Sequence, residues 1–287
     1  MNFELRSLFK LGFRSTKNII LSFLMLISLV FILPSCIDIS TLNRPPIKQD
    51  LKGMVSITSR DSVFGSLEKK WISSTYFDRG LKYENSRLEV VSLSGLLKRY
   101  NPDKSLDAIL LNCADDYQGI ISINDIKSYD LQIALKIELA KGAVRPDWLQ
   151  PLLIVVPNHA RPPFFERFLT ANINELRFVR LADYYAPLES LSSKNTYAQF
   201  GLGIFKDNCL FCHSINKVGG NKGTSLLRVF DLRLDSEKNR FKDRFLEIHG
   251  RGNNNNQNMA QFLINDQLDS LLAFLYEVAV TKLSESK

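Results

Sequence analysis

Cysteine and histidine are scarce in this chain. Its 287 residues hold 4 Cys and 3 His, and only Cys209, Cys212 and His213 stand together, in the stretch CLFCH. Cys36, Cys113, His159 and His249 are each alone. A structural zinc site needs a second ligand pair at similar spacing, and none exists. Strand-like runs are sparse around Cys209, so the βαβ setting of a dithiol redox site is missing as well. Charge of one sign is also in short supply. The net charge is +7, and residues 1–35, with four basic side chains and one acidic, account for +3 of it. The remaining +4 is too mild and too evenly spread to suit a nucleic-acid partner. There is no internal repeat, and NNNN at 253–256 reads as a short polar loop.

What remains for CLFCH is a c-type haem site. Each thiol adds to a vinyl group of the haem and the imidazole binds the iron. That chemistry takes place outside the cytoplasm, and the N-terminus agrees. Arg6, Lys10, Arg14 and Lys17 precede an almost unbroken apolar run of 15 residues, Ile19 to Leu33. A membrane helix wants about 20 apolar residues, whereas the h-region of a secretory signal is this short. The run ends in Leu33-Pro34-Ser35-Cys36, which resembles a bacterial lipobox with Pro34 as its departure. The resemblance implies a lipid on Cys36 as the first mature residue, and a protein of the bacterial cell envelope held at a membrane on the periplasmic or outer face. An uncleaved anchor and ordinary signal cleavage are the other readings, and both also export the chain.

Residues 36–53 read as a polar tether with a Pro-Pro step. From 54 to 190 the pattern is mixed. LEVVSL, DAILLNC, LLIVVP and ELRFVRL are strand-like, while SLSGLLKRY and KSYDLQIALKIELAKG have helix-like spacing, the second stopping at Gly142. A Ser-rich join at 188–196 leads to helical periodicity. The expected fold is a mixed α+β domain over 54–190, followed by an all-α domain over 191–287.

In the second part, Tyr197, Phe200, Gly201, Ile204 and Phe205 fall on one helical face, where Gly201 permits close approach of another helix. Leu268, Leu271, Leu272 and Leu275 make a stripe on a last helix capped by Asn265 or Asp266. Two such helices, with the attachment motif directly after the first, resemble a class I c-type cytochrome over residues 196–283. The resemblance implies one covalent haem c on Cys209 and Cys212, with His213 on the iron. Met259, just ahead of the last helix, becomes the other axial ligand and His249 its rival. It also implies a backbone carbonyl orienting the second imidazole nitrogen, from a loop where Thr224 replaces the usual Pro. Tyr197, Phe200, Phe205 and Leu271 are expected to pack the helices or line the haem.

In the first part, Ala114-Asp115-Asp116-Tyr117 and Pro151-Leu152-Leu153-Ile154-Val155-Val156-Pro157 resemble the molybdopterin domain of sulfite oxidase-type oxidoreductases. Asp116 replaces the Gly of that turn and Leu153 the Arg of that strand. The family's metal-binding Cys lies well upstream of the turn, where the mature chain offers only Cys36, so molybdopterin is not expected. Cys113 reads as a buried inert thiol, and Asp115 and Asp116 as a solvated turn. His159 reads as structural or exposed. The expected function is carriage of single electrons between redox partner proteins, with no catalytic acid or base. The alternative is a haem-containing subunit or fusion of a molybdenum oxidoreductase acting on a small oxyanion. The segment 160–168, ARPPFFERF, is a possible partner face.

Overall fold

DAILLNC has no polar residue between Ala108 and Leu111, so a strand made from it is apolar on both faces and needs cover on both. The computed structural model, which describes residues 56–100, 103–191, 195–250 and 263–285, shows what covers each face. The strands in chain order are β1 (Ser56–Thr58), β2 (Lys70–Ile72), β3 (Arg87–Ser92), β4 (Ala108–Cys113), β5 (Gln118–Ser122), β6 (Gln132–Glu138), β7 (Leu153–Val155) and β8 (Ile173–Val179). They form two antiparallel sheets of four strands, ordered β1-β8-β4-β5 and β2-β3-β6-β7. The helices are α1 (Val63–Ser66), α2 (Thr75–Leu81), α3 (Leu93–Tyr100), α4 (Ile123–Ser128), α5 (Leu181–Glu189), α6 (Thr196–Asn208), α7 (Leu226–Val229), α8 (Asp235–His249) and α9 (Asn265–Glu285).

Strand alternation sorts β4 between two cores. Ile109, Leu111 and Cys113 join Leu176 and Phe178 of β8 in a cluster that also holds Leu88, Val90, Ile133 and Ile154 of the other sheet. Ala108 and Leu110 face the opposite way. With Ile120 and Val179 they form a second cluster with Leu202 and Phe205 of α6, Phe241 and Phe245 of α8, and Leu271 and Phe274 of α9.

This corrects the expected fold class. The C-terminal helices are not an all-α cytochrome c domain: they share the second cluster with a β-sheet. The physical reason is the two-faced β4, whose outer face would otherwise expose Leu110. The described residues belong to one compact unit.

Two local readings also change. KSYDLQIALKIELAKG, expected as one helix, carries strand β6 at Gln132–Glu138, paired to β3 and β7. Its Ile133 and Ile137 satisfy both a period of four and a period of two, and the β-sheet partners decide between them. On α6 the buried face is Ala198, Gly201, Leu202, Ile204 and Phe205. Tyr197 and Phe200 are 48% and 56% exposed, so neither sits in the interior, and Tyr197 meets α9 through its hydroxyl, which donates to Asp266 O at 3.3 Å. The apolar arc is rotated from the expected one, and Ala198 and Leu202 take its centre. Phe205 and Leu271 are fully buried. Gly201 lies where α6 meets α9, and a Cβ there would overlap the Ser270 carbonyl.

Among the described residues, no helix is long and apolar enough to cross a membrane. Cys36 and Met259 lie outside the described residues.

Candidate functional site

The motif occupies one further turn beyond α6. Asn195 caps the helix start by accepting from the Tyr197 amide at 2.9 Å. Past Asn208, the Cys209 amide still donates to Phe205 O at 3.0 Å, and the amides of Cys212 and His213 donate to Cys209 O at 3.1 and 2.8 Å. Cys209, Cys212 and His213 are therefore held in one tight turn. Cys209 and Cys212 are not joined in a disulfide. Burial pushes the Cys209 thiol up to about 12 and the Cys212 thiol well above its ordinary value. Dithiol exchange needs the opposite, a stabilised thiolate.

The following loop folds back along the motif. Ile215 and Val218 pair across a turn in which Asn216 and Lys217 have φ of 48° and 68°. Gly220 N then donates to Leu210 O at 2.9 Å and Gly223 N to Cys212 O at 2.8 Å. The return brings the Thr224 carbonyl 2.7 Å from His213 Nδ1. A carbonyl only accepts, so Nδ1 carries the proton and the Nε2 lone pair is left for a metal. Gly223 is required by space: a Cβ there would overlap the His213 ring. Burial lowers the His213 pKa, the Thr224 bond opposes this, and His249 adds to the lowering. The balance favours the neutral ring, the form that ligates.

The sheet supports this turn through residues that sequence reasoning did not single out. Gln118, the first residue of β5, donates its amide to Phe211 O at 3.1 Å. Its side-chain Oε1 accepts from Gly219 N at 3.2 Å and from the Tyr184 hydroxyl at 2.7 Å. Asn221 N donates to Asp116 O at 2.8 Å, and Tyr117 stacks on Phe211 with ring centres 4.9 Å apart. The β4–β5 turn, Ala114 to Tyr117, is therefore the floor of the CLFCH loop. Asp116 has φ 69°, so the backbone has the left-handed conformation that suits Gly, and Asp tolerates it. Asp115 is partly buried, which raises its carboxyl, so the pair is not the simple solvated turn expected from sequence.

The other named residues lie apart from this turn or at its edge. Cys113 is buried and its thiol is raised well above the ordinary value, by burial first and by Asp115 second. His159 is exposed, 3.5 Å from Asp130. The segment 160–168 is divided: Phe168 is buried, Arg167 pairs with Asp207 at 3.0 Å, and Phe164 is exposed. His249, read from the sequence as a loop residue, is the last residue of the 15-residue helix α8. Its ring centre lies 6.4 Å from that of His213, with the planes at 79°. The signal was present in the spacing Phe241, Phe245, His249, an i, i+4, i+8 stripe on one face.

No protein-family model matches the chain, and no curated protein matches it.

Proposed function

We propose that this chain binds one haem covalently through Cys209 and Cys212, with His213 on the iron, and passes single electrons between redox partner proteins as an exported, lipid-anchored envelope protein. The observation that carries the reading is the Thr224 carbonyl at 2.7 Å from His213 Nδ1. It supplies the outer hydrogen bond that a metal-bound imidazole needs to fix its tautomer, orient its ring and raise its basicity. The residues fit the group in two further ways. Both thiols and the imidazole lie on one turn, and Gly223 leaves the ring face clear of a side chain.

When bound, the haem supplies reversible one-electron chemistry, and the protein tunes it through axial ligand, hydrogen bonding and burial. The chain's own part is mechanical. Gln118 and Asp116 fix the loop from below, Thr224 holds the proton on Nδ1, and Cys209 and Cys212 would hold the group against dissociation. The alternative, a molybdenum site in the sheet domain, would have Cys113 as its thiol ligand, and that side chain is buried in the core between the sheets.

The test is expression of the full chain in a host that attaches c-type haem, followed by a pyridine haemochrome assay and peptide mass spectrometry. The expected result is one haem per chain, with the mass of haem on the peptide carrying Cys209 and Cys212. A full-length exported chain with unmodified thiols refutes the reading. Molybdenum analysis of the same sample separates it from the alternative.

A further inference from the structure

We infer that His249, not Met259, is the second axial ligand, so that the iron is held between two imidazoles; this rests on the haem reading above. A metal bonded to two opposed imidazole nitrogens at about 2.0–2.1 Å each, with about 1.1 Å from each nitrogen to its ring centre, places the ring centres about 6.3 Å apart. His213 and His249 have ring centres 6.4 Å apart with planes at 79°. That spacing, with the rings edge to face, is one an aromatic pair can also take, and it matches the separation that a shared metal requires.

The placement of His249 is built into the fold. It lies two helical turns beyond Phe241 and one beyond Phe245, on the face by which α8 enters the second core. Phe245 rests against it, with ring centres 5.6 Å apart, and Phe230 packs on Phe241 at 5.3 Å. The stripe that anchors α8 therefore aims His249 toward His213. The opposing side is fixed independently, by Thr224 on His213. Two separately anchored imidazoles at metal-sharing distance are a ligand pair.

The consequence is functional. A thioether raises the potential of a haem relative to a second imidazole, so a two-histidine carrier works at lower potential and suits more reducing partners.

The experiment uses the full haem-loaded chain, with His249→Ala and Met259→Ala variants, each first assayed for covalent haem by pyridine haemochrome. Ferric near-infrared magnetic circular dichroism then reads the ligand pair directly. Wild type is expected to be low-spin with two nitrogen ligands and no sulfur-to-iron charge-transfer band. Met259→Ala should leave the spectrum unchanged. His249→Ala should keep its haem, become high-spin in the ferric state, bind carbon monoxide when reduced, and return to low-spin on adding free imidazole. A sulfur charge-transfer band in the wild type, lost in Met259→Ala, overturns the inference even if His249→Ala fails to fold. A wild-type chain with no covalent haem fails the underlying reading instead.

Discussion

Leu110 and Leu111 are neighbours on β4, each 1% exposed, yet they belong to different cores. Leu111 faces the layer between the two sheets, beside strand residues such as Leu176 and Val90. Leu110 faces the layer under the helices, beside Phe205, Phe274 and Leu271. The first layer joins sheet to sheet. The second is bordered by a polar strip on the outer sheet face. There Asn112 donates to Glu175 at 2.6 Å, Gln118 donates to Asn112 at 2.9 Å, and Gln118 accepts from Tyr184. The CLFCH loop rests at this strip. The comparison teaches that the candidate site is a joint between β-sheet and helices, not a pocket inside a helical domain.

The strongest way to break that comparison is to truncate the two leucines. Leu110→Ala and Leu111→Ala should each cost about 2–5 kcal/mol, read by denaturant unfolding. If the helices and the sheets form one cooperative unit, both variants unfold in a single transition by near- and far-ultraviolet circular dichroism. A Leu110→Ala protein whose helices melt separately, at the wild-type midpoint, would restore an independent helical domain. Only Leu110→Ala should also disturb the haem spectrum of the loaded chain, because only that side carries the motif.

A second test acts within the helical layer. Gly201→Val places a branched side chain where even a Cβ overlaps the Ser270 carbonyl. Overpacking of a closed interface costs about 1–3 kcal/mol and occasionally more. Here the obstacle is backbone, so a loss of about 3 kcal/mol in unfolding free energy is expected. The same substitution at Gly203, which has open space around it, should be neutral or stabilising by about a few tenths of a kcal/mol, because Val has the better helix propensity of the two.

Much of this architecture was legible in the residues, and the failures have physical causes. LEVVSL, DAILLNC and ELRFVRL announce strands because their runs are short, branched and closed by polar residues. What composition does not reveal is the cover on the outer side of β4, since Leu110 and Leu111 look alike until a partner is assigned. The β6 segment was ambiguous because Ile133 and Ile137 serve both periods. In the site, Cys209, Cys212 and His213 were legible as a local motif. The carbonyl of Thr224 was expected only by resemblance, because backbone atoms carry no sequence signature. Gln118 was invisible: a glutamine joining a sheet edge to a loop about 100 residues later (Gly219 N) is a product of tertiary topology. For His249, the Gly directly after it suggests a loop, whereas the Phe241–Phe245 stripe continues the helix through it.

The smallest expected effect compares two carboxylates that border the second layer and titrate in opposite directions. Asp115, in the floor of the loop, has a buried Oδ1 without a hydrogen-bond partner. Burial raises its pKa above the ordinary carboxylate value, Asp116 adds to this, and Lys222 and Asn172 offset part of it. Glu175, in the polar strip, is also raised by burial, but bonds from Ser56, Arg177 and Asn112 outweigh that and leave it lowered. The linkage signs therefore differ. For Asp115 the folded state binds the proton more tightly, so its contribution is present in acid and lost as pH rises through the folded pKa. For Glu175 the unfolded state binds the proton more tightly, so its contribution is present above the unfolded pKa and lost as pH falls through the folded one. Asp115→Asn should accordingly be more stable than wild type at neutral pH, with the gain fading in acid. Glu175→Gln should be less stable at neutral pH, with the loss fading in acid. Urea midpoints of both variants measured from about pH 3 to pH 7, spanning the ordinary carboxylate range, should converge on the wild type from opposite sides. Two curves that approach from the same side would show that the loop floor and the strip share one electrostatic environment.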